Sequence, residues 1–199
     1  MQSVASKIKR VINSKPRGEL FFPGDFSDMG SSDSVRKALQ QLKEKGLIKQ
    51  VAHGIYVRPR YNELIGVLMP TTEEIALGIA KRDRIKIVPT GAYALNALGL
   101  STQMPLNIVF LTDGAPRTIK VGNRSIKFKK TTPKNLLAKG DISKLVIQAL
   151  REIGKGNVSK NEYDKIITLL KNENKQKLKY DIALAPEWIK KIMKKALDE

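Results

Sequence analysis

Residues 31–60 carry the polar side chains whose types and spacing best fit a chemical task. The segment SSDSVRKALQQLKEKGLIKQVAHGIYVRPR opens with serines, continues with basic and amide side chains, and closes with further bases. Serine hydroxyls and the free amides at a helix start bind phosphate oxygens, whereas arginine, lysine and glutamine can also bond base edges. The pattern therefore predicts contact with double-stranded DNA. The expected contact residues are Ser31, Ser32, Ser34, Arg36, Lys37, Gln40, Gln41, Lys49, His53, Arg58 and Arg60.

The periodicity of this segment predicts the elements that position those side chains. Ser31 or Ser32 caps a helix that Gly46 ends, and its buried stripe is Val35, Ala38, Leu39 and Leu42. Two short apolar strands follow, joined by a turn at His53-Gly54. Upstream, the pattern predicts a helix over 3–14, a short strand at 19–22 and a short helix from Pro23. This order is typical of a winged helix-turn-helix, which we expect over residues 1–62.

The charge of the chain supports an anionic partner. Lys and Arg number 37 against 19 acids, a formal net charge of +18. The excess is +7 over residues 1–62 and +11 over 63–199, so it is not confined to one region. Two alternatives stay open. The basic surface can be merely solvated, and the winged helix can serve only as a scaffold for protein contacts. His53, at a turn, is as consistent with a structural role as with phosphate binding.

Residues 63–199 predict a mixed α/β domain, so that the whole chain is α+β. Pro59 and Pro70 bracket an apolar segment that we expect to be a packed connector. A β-hairpin is expected over 118–129 across Gly122-Asn123. Three helices, at about 143–153, 159–172 and 186–197, are expected to close the chain. One face of this hairpin would carry Lys120, Lys127 and Lys129. This basic face would either bind an anionic partner or be an ordinary sheet face in contact with solvent.

Residue types for catalysis and metal binding are scarce. The chain has no cysteine and one histidine, which excludes Cys/His dyads and His-rich metal sites. Gly-rich phosphate loops are missing from the sequence, and its acids are scattered. We therefore expect no enzyme activity, no catalytic residues, no metal and no cofactor. No apolar run approaches the roughly 18 residues of a membrane span, and we expect a soluble cytoplasmic protein with no membrane partner.

Several blocks of the sequence, in order, resemble the AbiEi-type antitoxins of type IV toxin–antitoxin systems. They are MQSVASKIKRVI, SVRKALQQLKEKGLIKQVAHGIYVRPRYN, PTGAYALNALGLSTQMP, VFLTDGAPRTIKVGNRSIKFKKTTP and LVIQALREIG, and they cover most of residues 1–153. The resemblance implies a bacterial transcriptional autorepressor that binds the promoter of its own operon. It also implies a C-terminal part that neutralises a cognate nucleotidyltransferase-like toxin. Residues 154–199 lie outside the resemblance.

Overall fold

The structure, a computed structural model, describes residues 3–198. Over these residues the fold is α+β, as the sequence predicts, and no helix among them is long and apolar enough to cross a membrane. The helices are α1 Val4–Ser14, α2 Ser32–Glu44, α3 Thr72–Asp83, α4 Ala92–Ala97, α5 Asp141–Ile153, α6 Lys160–Lys171, α7 Lys175–Leu184 and α8 Glu187–Asp198, with 3-10 helices at Pro23–Phe26 and Pro133–Leu136. The strands are β1 Leu20–Phe21, β2 Lys49–Ala52, β3 Ile55–Val57, β4 Arg60–Asn62, β5 Gly66–Leu68, β6 Ile87–Pro89, β7 Asn107–Thr112, β8 Arg117–Val121 and β9 Arg124–Lys130.

The chain packs as two compact units. The first runs to Ile79 and includes Ile119–Asn123, and the second comprises Ala80–Thr118 and the chain from Arg124 onward. Helix α3 therefore contributes residues to both units.

The core of the first unit lies between α1, α2, the 3-10 helix after β1 and a three-stranded sheet. Helix α2 supplies the four apolar residues that its periodicity predicts, and all four are buried. The rings of Phe21 and Phe26 lie 6.2 Å apart within the same core. The buried residues of this cluster are Ile8, Ile12, Phe21, Phe26, Val35, Ala38, Leu39, Leu42, Ile48 and Tyr56.

The sheet of the first unit has the order β1-β3-β2, with antiparallel neighbours. Strand β3 is central, and Gln50 of β2 pairs with Tyr56 of β3. The β2–β3 hairpin closes between Ala52 and Ile55, with a register shift after Gln50. Gly54 has φ +66°, a conformation that glycine adopts without strain, which explains the two-residue turn.

The segment between Pro59 and Pro70 corrects the expectation of a packed connector. Strands β4 and β5 pair there as a two-stranded ribbon, and Leu64 and Ile65 at its turn are 94% and 71% exposed. The turn is fixed by Asn62, whose Oδ1 accepts hydrogen bonds from the amides of Leu64 and Ile65. A ribbon satisfies its backbone groups by its own pairing and side-chain turn bonds, so its apolar residues need not be buried.

The second unit combines most of a four-stranded sheet with a helical core. Strands follow the order β6-β7-β9-β8, in which β7 and β9 are parallel and β6 is antiparallel to β7. Phe110 and Phe128, paired in register on β7 and β9, stack with ring centroids 6.1 Å apart. The helical core is formed by α4 to α8, which bury a continuous set of aliphatic side chains.

Four helices, rather than the three predicted, close the described chain. The unpredicted helix is α7, in which Leu178 and Ile182 are the buried aliphatic residues. Two apolar residues four positions apart among lysines make too narrow a stripe to stand out in the sequence. The helix is also held by a polar contact: Asp181 is fully buried and accepts hydrogen bonds from the amides of Lys139 and Gly140 and from the Ser143 hydroxyl.

Candidate nucleic-acid interface

Helix α2 presents one exposed polar face, formed by Arg36, Lys37, Gln40 and Gln41, which we term the α2 face. These residues follow the spacing i, i+1, i+4 and i+5, which places them on one side of a helix, opposite the buried stripe. All four are exposed, and together with Tyr56 of β3 they line an open concavity of about 480 Å³. The structure thus brings together four residues that the sequence selects for DNA contact.

The serines at the start of α2 are used mainly to build the helix end. The Ser31 hydroxyl accepts a hydrogen bond from the Ser34 amide at 3.3 Å and lies 2.9 Å from the Ser34 hydroxyl. This is the N-cap arrangement, which satisfies an amide that the helix leaves free. Ser32 accepts a hydrogen bond of 2.8 Å from Nη2 of Arg36. The serines lie beside the α2 face and orient its first arginine.

The internal contacts of the α2 face are weak ones. Arg36 lies 3.7 Å from Asp33, and both side chains are largely exposed, so solvent screens their attraction. Gln40 donates a hydrogen bond of 2.8 Å to Glu44. Within residues 3–198 the structure gives the side chains of Lys37 and Gln41 no hydrogen bond or ion pair. These side chains can therefore exchange their present contacts for an external ligand at little cost.

Gln50, Tyr56 and Lys43 complete this surface, and the sequence did not single out the last two as site residues. Tyr56 forms the floor of the concavity, and Gln50, its partner in the β2–β3 pair, accepts a hydrogen bond of 3.2 Å from Lys43 of α2. In the sequence, the residue that could have indicated this surface was Tyr56. A tyrosine in a short apolar strand has a hydroxyl that must reach solvent or a partner, which predicts a position at the edge of a core.

The four predicted contact residues on and after the β2–β3 hairpin fall into two groups. Lys49 and His53 are exposed, the latter at the turn. Arg58, by contrast, donates hydrogen bonds from Nη1 to the carbonyls of Asn13 and Lys15, at 3.0 and 3.4 Å, and so caps the end of α1. It follows β3 at the end opposite the turn.

Arg60 is also engaged within the first unit. Its Nε donates to the Arg17 carbonyl at 3.3 Å, and its Nη1 lies 3.1 Å from Oε1 of Glu74. The pKa of Glu74 is lowered, chiefly by the hydrogen bond from the Thr71 amide and further by Arg60. This carboxylate caps α3 through a reciprocal pair of hydrogen bonds with Thr71. Arg60 therefore ties the β4–β5 ribbon to α3.

The residues selected for partner binding lie on β8 and β9. Lys120, Lys127 and Lys129 are each exposed. On β9, Lys127 and Lys129 alternate with Ile126 and Phe128, which are buried, so the strand has one basic and one apolar face. Among residues 3–198 there is no group of three histidine, aspartate or glutamate side chains that could hold a metal ion.

Comparison with known proteins assigns the chain to a family. No curated protein matches it. The model of a family described as a family of unknown function, DUF6088, matches residues 7–178, which is most of the chain. The chain belongs to the DUF6088 family.

Proposed function

We propose that this protein is a DNA-binding transcriptional repressor whose first unit acts as a winged helix-turn-helix. The observation that carries the proposal is the α2 face, where two cations and two amides stand exposed on one side of a capped helix. A helix of this diameter fits the major groove of B-form DNA, and these side-chain types match base edges and phosphates. The β2–β3 hairpin then has the place of the wing.

The side chains of the α2 face divide into two tasks in this proposal. Arg36 suits bidentate bonding to guanine, and Gln40 and Gln41 suit adenine, because their donor and acceptor geometries match those base edges. Lys37 supplies a point charge for a phosphate. Asp33 and Glu44 flank the face, so the sequence-reading part of the helix is limited to the turns between them. Lys49 and His53 on the hairpin would contact the flanking backbone.

A binding experiment with the full chain tests this proposal. A labelled duplex from the region upstream of its own coding sequence is titrated at about 150 mM salt, beside an unrelated duplex of equal length and composition. Specific binding to the upstream duplex, tighter by about a thousandfold or more, is expected for a sequence-reading protein. Equal binding to both duplexes would reduce the interaction to non-specific attraction by a chain of net charge +18 and would contradict the proposal.

The resemblance to AbiEi-type antitoxins supports a second role in the same cytoplasmic protein. In that role residues 63–199 neutralise a nucleotidyltransferase-like toxin encoded alongside, and the DNA-binding unit represses the shared operon. Co-expression of the full chain with the adjacent gene tests it. The adjacent gene alone should arrest growth, and the full chain should restore it. An adjacent gene that is harmless on its own would contradict the antitoxin role without affecting the DNA-binding proposal.

A competing function is a protein-interaction module in which the basic second unit binds an acidic partner and the first unit is scaffold. The exposed lysines of β9 favour it. One variant distinguishes the two functions. A variant with Arg36, Lys37 and Gln40 changed to alanine should lose repression but keep toxin neutralisation if both proposed roles hold. If this variant still represses, the protein-interaction function, in which the first unit is only a scaffold, is favoured.

A further inference from the structure

The second unit contains a small polar cavity, here called the slot, that is lined by a side-chain amide without a hydrogen bond. It lies beside one face of α5, where Lys144, Gln148 and Arg151 follow the spacing i, i+4 and i+7. Lys134 and Asn135 of the second 3-10 helix also line the slot. The slot holds about 10 Å³, close to the volume that one water molecule needs.

Gln148 is the residue that makes this slot unusual. Its side chain is buried, with 4% of the residue exposed, and it lines the slot. Among residues 3–198 the structure gives its amide no hydrogen-bond partner. The amide is not sealed off from the slot, since among the described residues the side-chain atom that is both fully buried and unbonded is Nε of Arg117. Polar groups buried in folded proteins are nearly always hydrogen-bonded, so an amide that is this deeply placed and unbonded is unusual. The amide of Gln148 is therefore available for a group that enters the slot.

The charge around the slot favours an anion. Arg151 donates one hydrogen bond of 2.9 Å to Oδ1 of Asn135, and no described carboxylate pairs with it. Partial burial of its guanidinium lowers the pKa of Arg151. Lys144 contacts Asp141 at 2.5 Å, and that carboxylate is 82% exposed and is not one of the residues that line the slot. Within the described lining the cations outnumber the acids.

An open hollow of about 370 Å³ adjoins the slot, with Val88, Ala138 and Lys144 common to both. Its walls combine aliphatic residues with further cations, and this volume is within the range of small-molecule pockets. The Lys139 ammonium lies 4.2 Å from the centre of the Tyr180 ring at its rim. The hollow can thus hold an organic group while the slot receives one oxygen of an attached anion.

We propose that this slot and hollow bind a small organic phosphate, with a phosphate oxygen bonded to Gln148 and Arg151 and the organic group in the hollow. A phosphate monoester supplies the double negative charge and the several acceptor oxygens that an amide, a guanidinium and a lysine can share. The site belongs to the second unit and is independent of the proposed DNA interface.

Calorimetric titration of the full chain at fixed ionic strength tests the proposal. The probes are adenosine 5′-monophosphate, ribose 5-phosphate, inorganic phosphate and adenosine. We expect saturable binding of at least one phosphate monoester, at least tenfold tighter than inorganic phosphate, and none of adenosine. The two monoesters distinguish a nucleotide from a sugar phosphate as the source. Absence of saturable binding, or equal affinity for inorganic phosphate, would overturn the proposal.

The variant Gln148→Leu gives the sharpest comparison. If the amide serves a ligand, leucine should weaken monoester binding at least tenfold while the midpoint of thermal unfolding stays equal or rises, because an unpartnered amide is replaced by an apolar group. Unchanged binding, or weaker binding with a marked loss of stability, would contradict the assignment. Arg151→Gln should weaken binding similarly, whereas Arg124→Gln, a matched change on β9, should not. The triple alanine variant of the α2 face should bind the monoester normally; a loss there would place the phosphate at the DNA interface instead.

Discussion

The Lys43 ammonium donates a hydrogen bond of 3.2 Å to Oε1 of Gln50, and this contact joins helix α2 to strand β2. Gln50 lies opposite Tyr56 in the β2–β3 pair, and Tyr56 is the floor of the concavity beside the α2 face. The helix, the amide and the ring therefore form one continuous surface. In the proposed function this continuity lets the helix enter a groove while the hairpin lies along the adjacent backbone.

Arg58 provides a prediction that separates stability from DNA contact. Changing Arg58 to methionine removes both hydrogen bonds to the carbonyls at the end of α1, and we expect a loss of about 1–2 kcal/mol in the first unit. Amide hydrogen exchange in α1 should accelerate accordingly. The affinity of the folded variant for the upstream duplex should change less than twofold, whereas the matched change Arg36→Met should weaken it at least tenfold. If Arg58→Met weakens DNA binding strongly but barely changes hydrogen exchange in α1, Arg58 contacts DNA, as the sequence predicts, and this account is contradicted.

Gly46 ends α2 in a conformation that only glycine adopts easily. Its φ is +71°, and the Leu47 amide bonds to the Leu42 carbonyl across the helix end at 3.0 Å. Nothing lies within 4 Å of an added Cβ, so the cost of Gly46→Ala is backbone strain alone, about 1 kcal/mol. This cost should be measurable as faster hydrogen exchange of the last backbone amides of α2. Gly24→Ala, where φ is not positive and space is also open, is the control and should be close to neutral; equal effects of the two changes would contradict this account.

Asp181 is one of two acidic residues, with Glu173, that hold the start of α5. Its carboxylate is fully buried and accepts hydrogen bonds from two backbone amides and one hydroxyl. Asp181→Ala would leave those donors without a partner, and we expect a loss of at least about 3 kcal/mol. Urea unfolding followed by the fluorescence of Trp188, the only tryptophan, reports on this unit. Asp164→Ala on α6 is the exposed control. A loss below about 1 kcal/mol at Asp181 would mean that water replaces the carboxylate.

The pKa of Asp83 gives a pH-dependent prediction. It is lowered from its ordinary value of 3.8, first by the hydrogen bond from Arg82 and also by Arg117, whose guanidinium contacts the same carboxylate. A lowered pKa in the folded state means that the carboxylate contributes stability above its ordinary pKa and loses that contribution as pH falls through the lowered value. The wild type should therefore have a higher midpoint of thermal unfolding than Asp83→Asn. This difference should be largest near pH 6 and should shrink below about pH 4. A difference that is constant with pH would contradict the ion pair.

The sequence predicts those parts of the structure that depend on local periodicity. The buried stripe of α2 and its serine cap are visible in a window of about a dozen residues, because each follows from helical spacing and capping chemistry. The exposed face of α2 follows from the same spacing. The candidate site was therefore predictable as far as it lies on one helix.

Tertiary contacts account for what the sequence did not predict. Tyr56 and Lys43 join the site only because β3 and β2 pack beside α2. Arg58 has the residue type of a phosphate contact, and its use at the end of α1 depends on a partner more than forty positions away. Leu64 and Ile65 show the converse, since apolar residues in a self-paired ribbon stay exposed.

The central claim is that the α2 face reads DNA, and an anisotropy titration of three proteins on the upstream duplex tests it most directly. The wild type is compared with the variant in which Arg36, Lys37 and Gln40 are alanine, and with Lys191→Ala/Lys194→Ala on α8, which removes the same charge. We expect the α2 variant to bind at least a hundredfold more weakly, with the slope of log affinity against log salt reduced by about 1–2. The α8 variant should bind within threefold of the wild type. Equal affinity of the wild type and the α2 variant, with hydrogen exchange confirming that α2 is folded, would contradict the account.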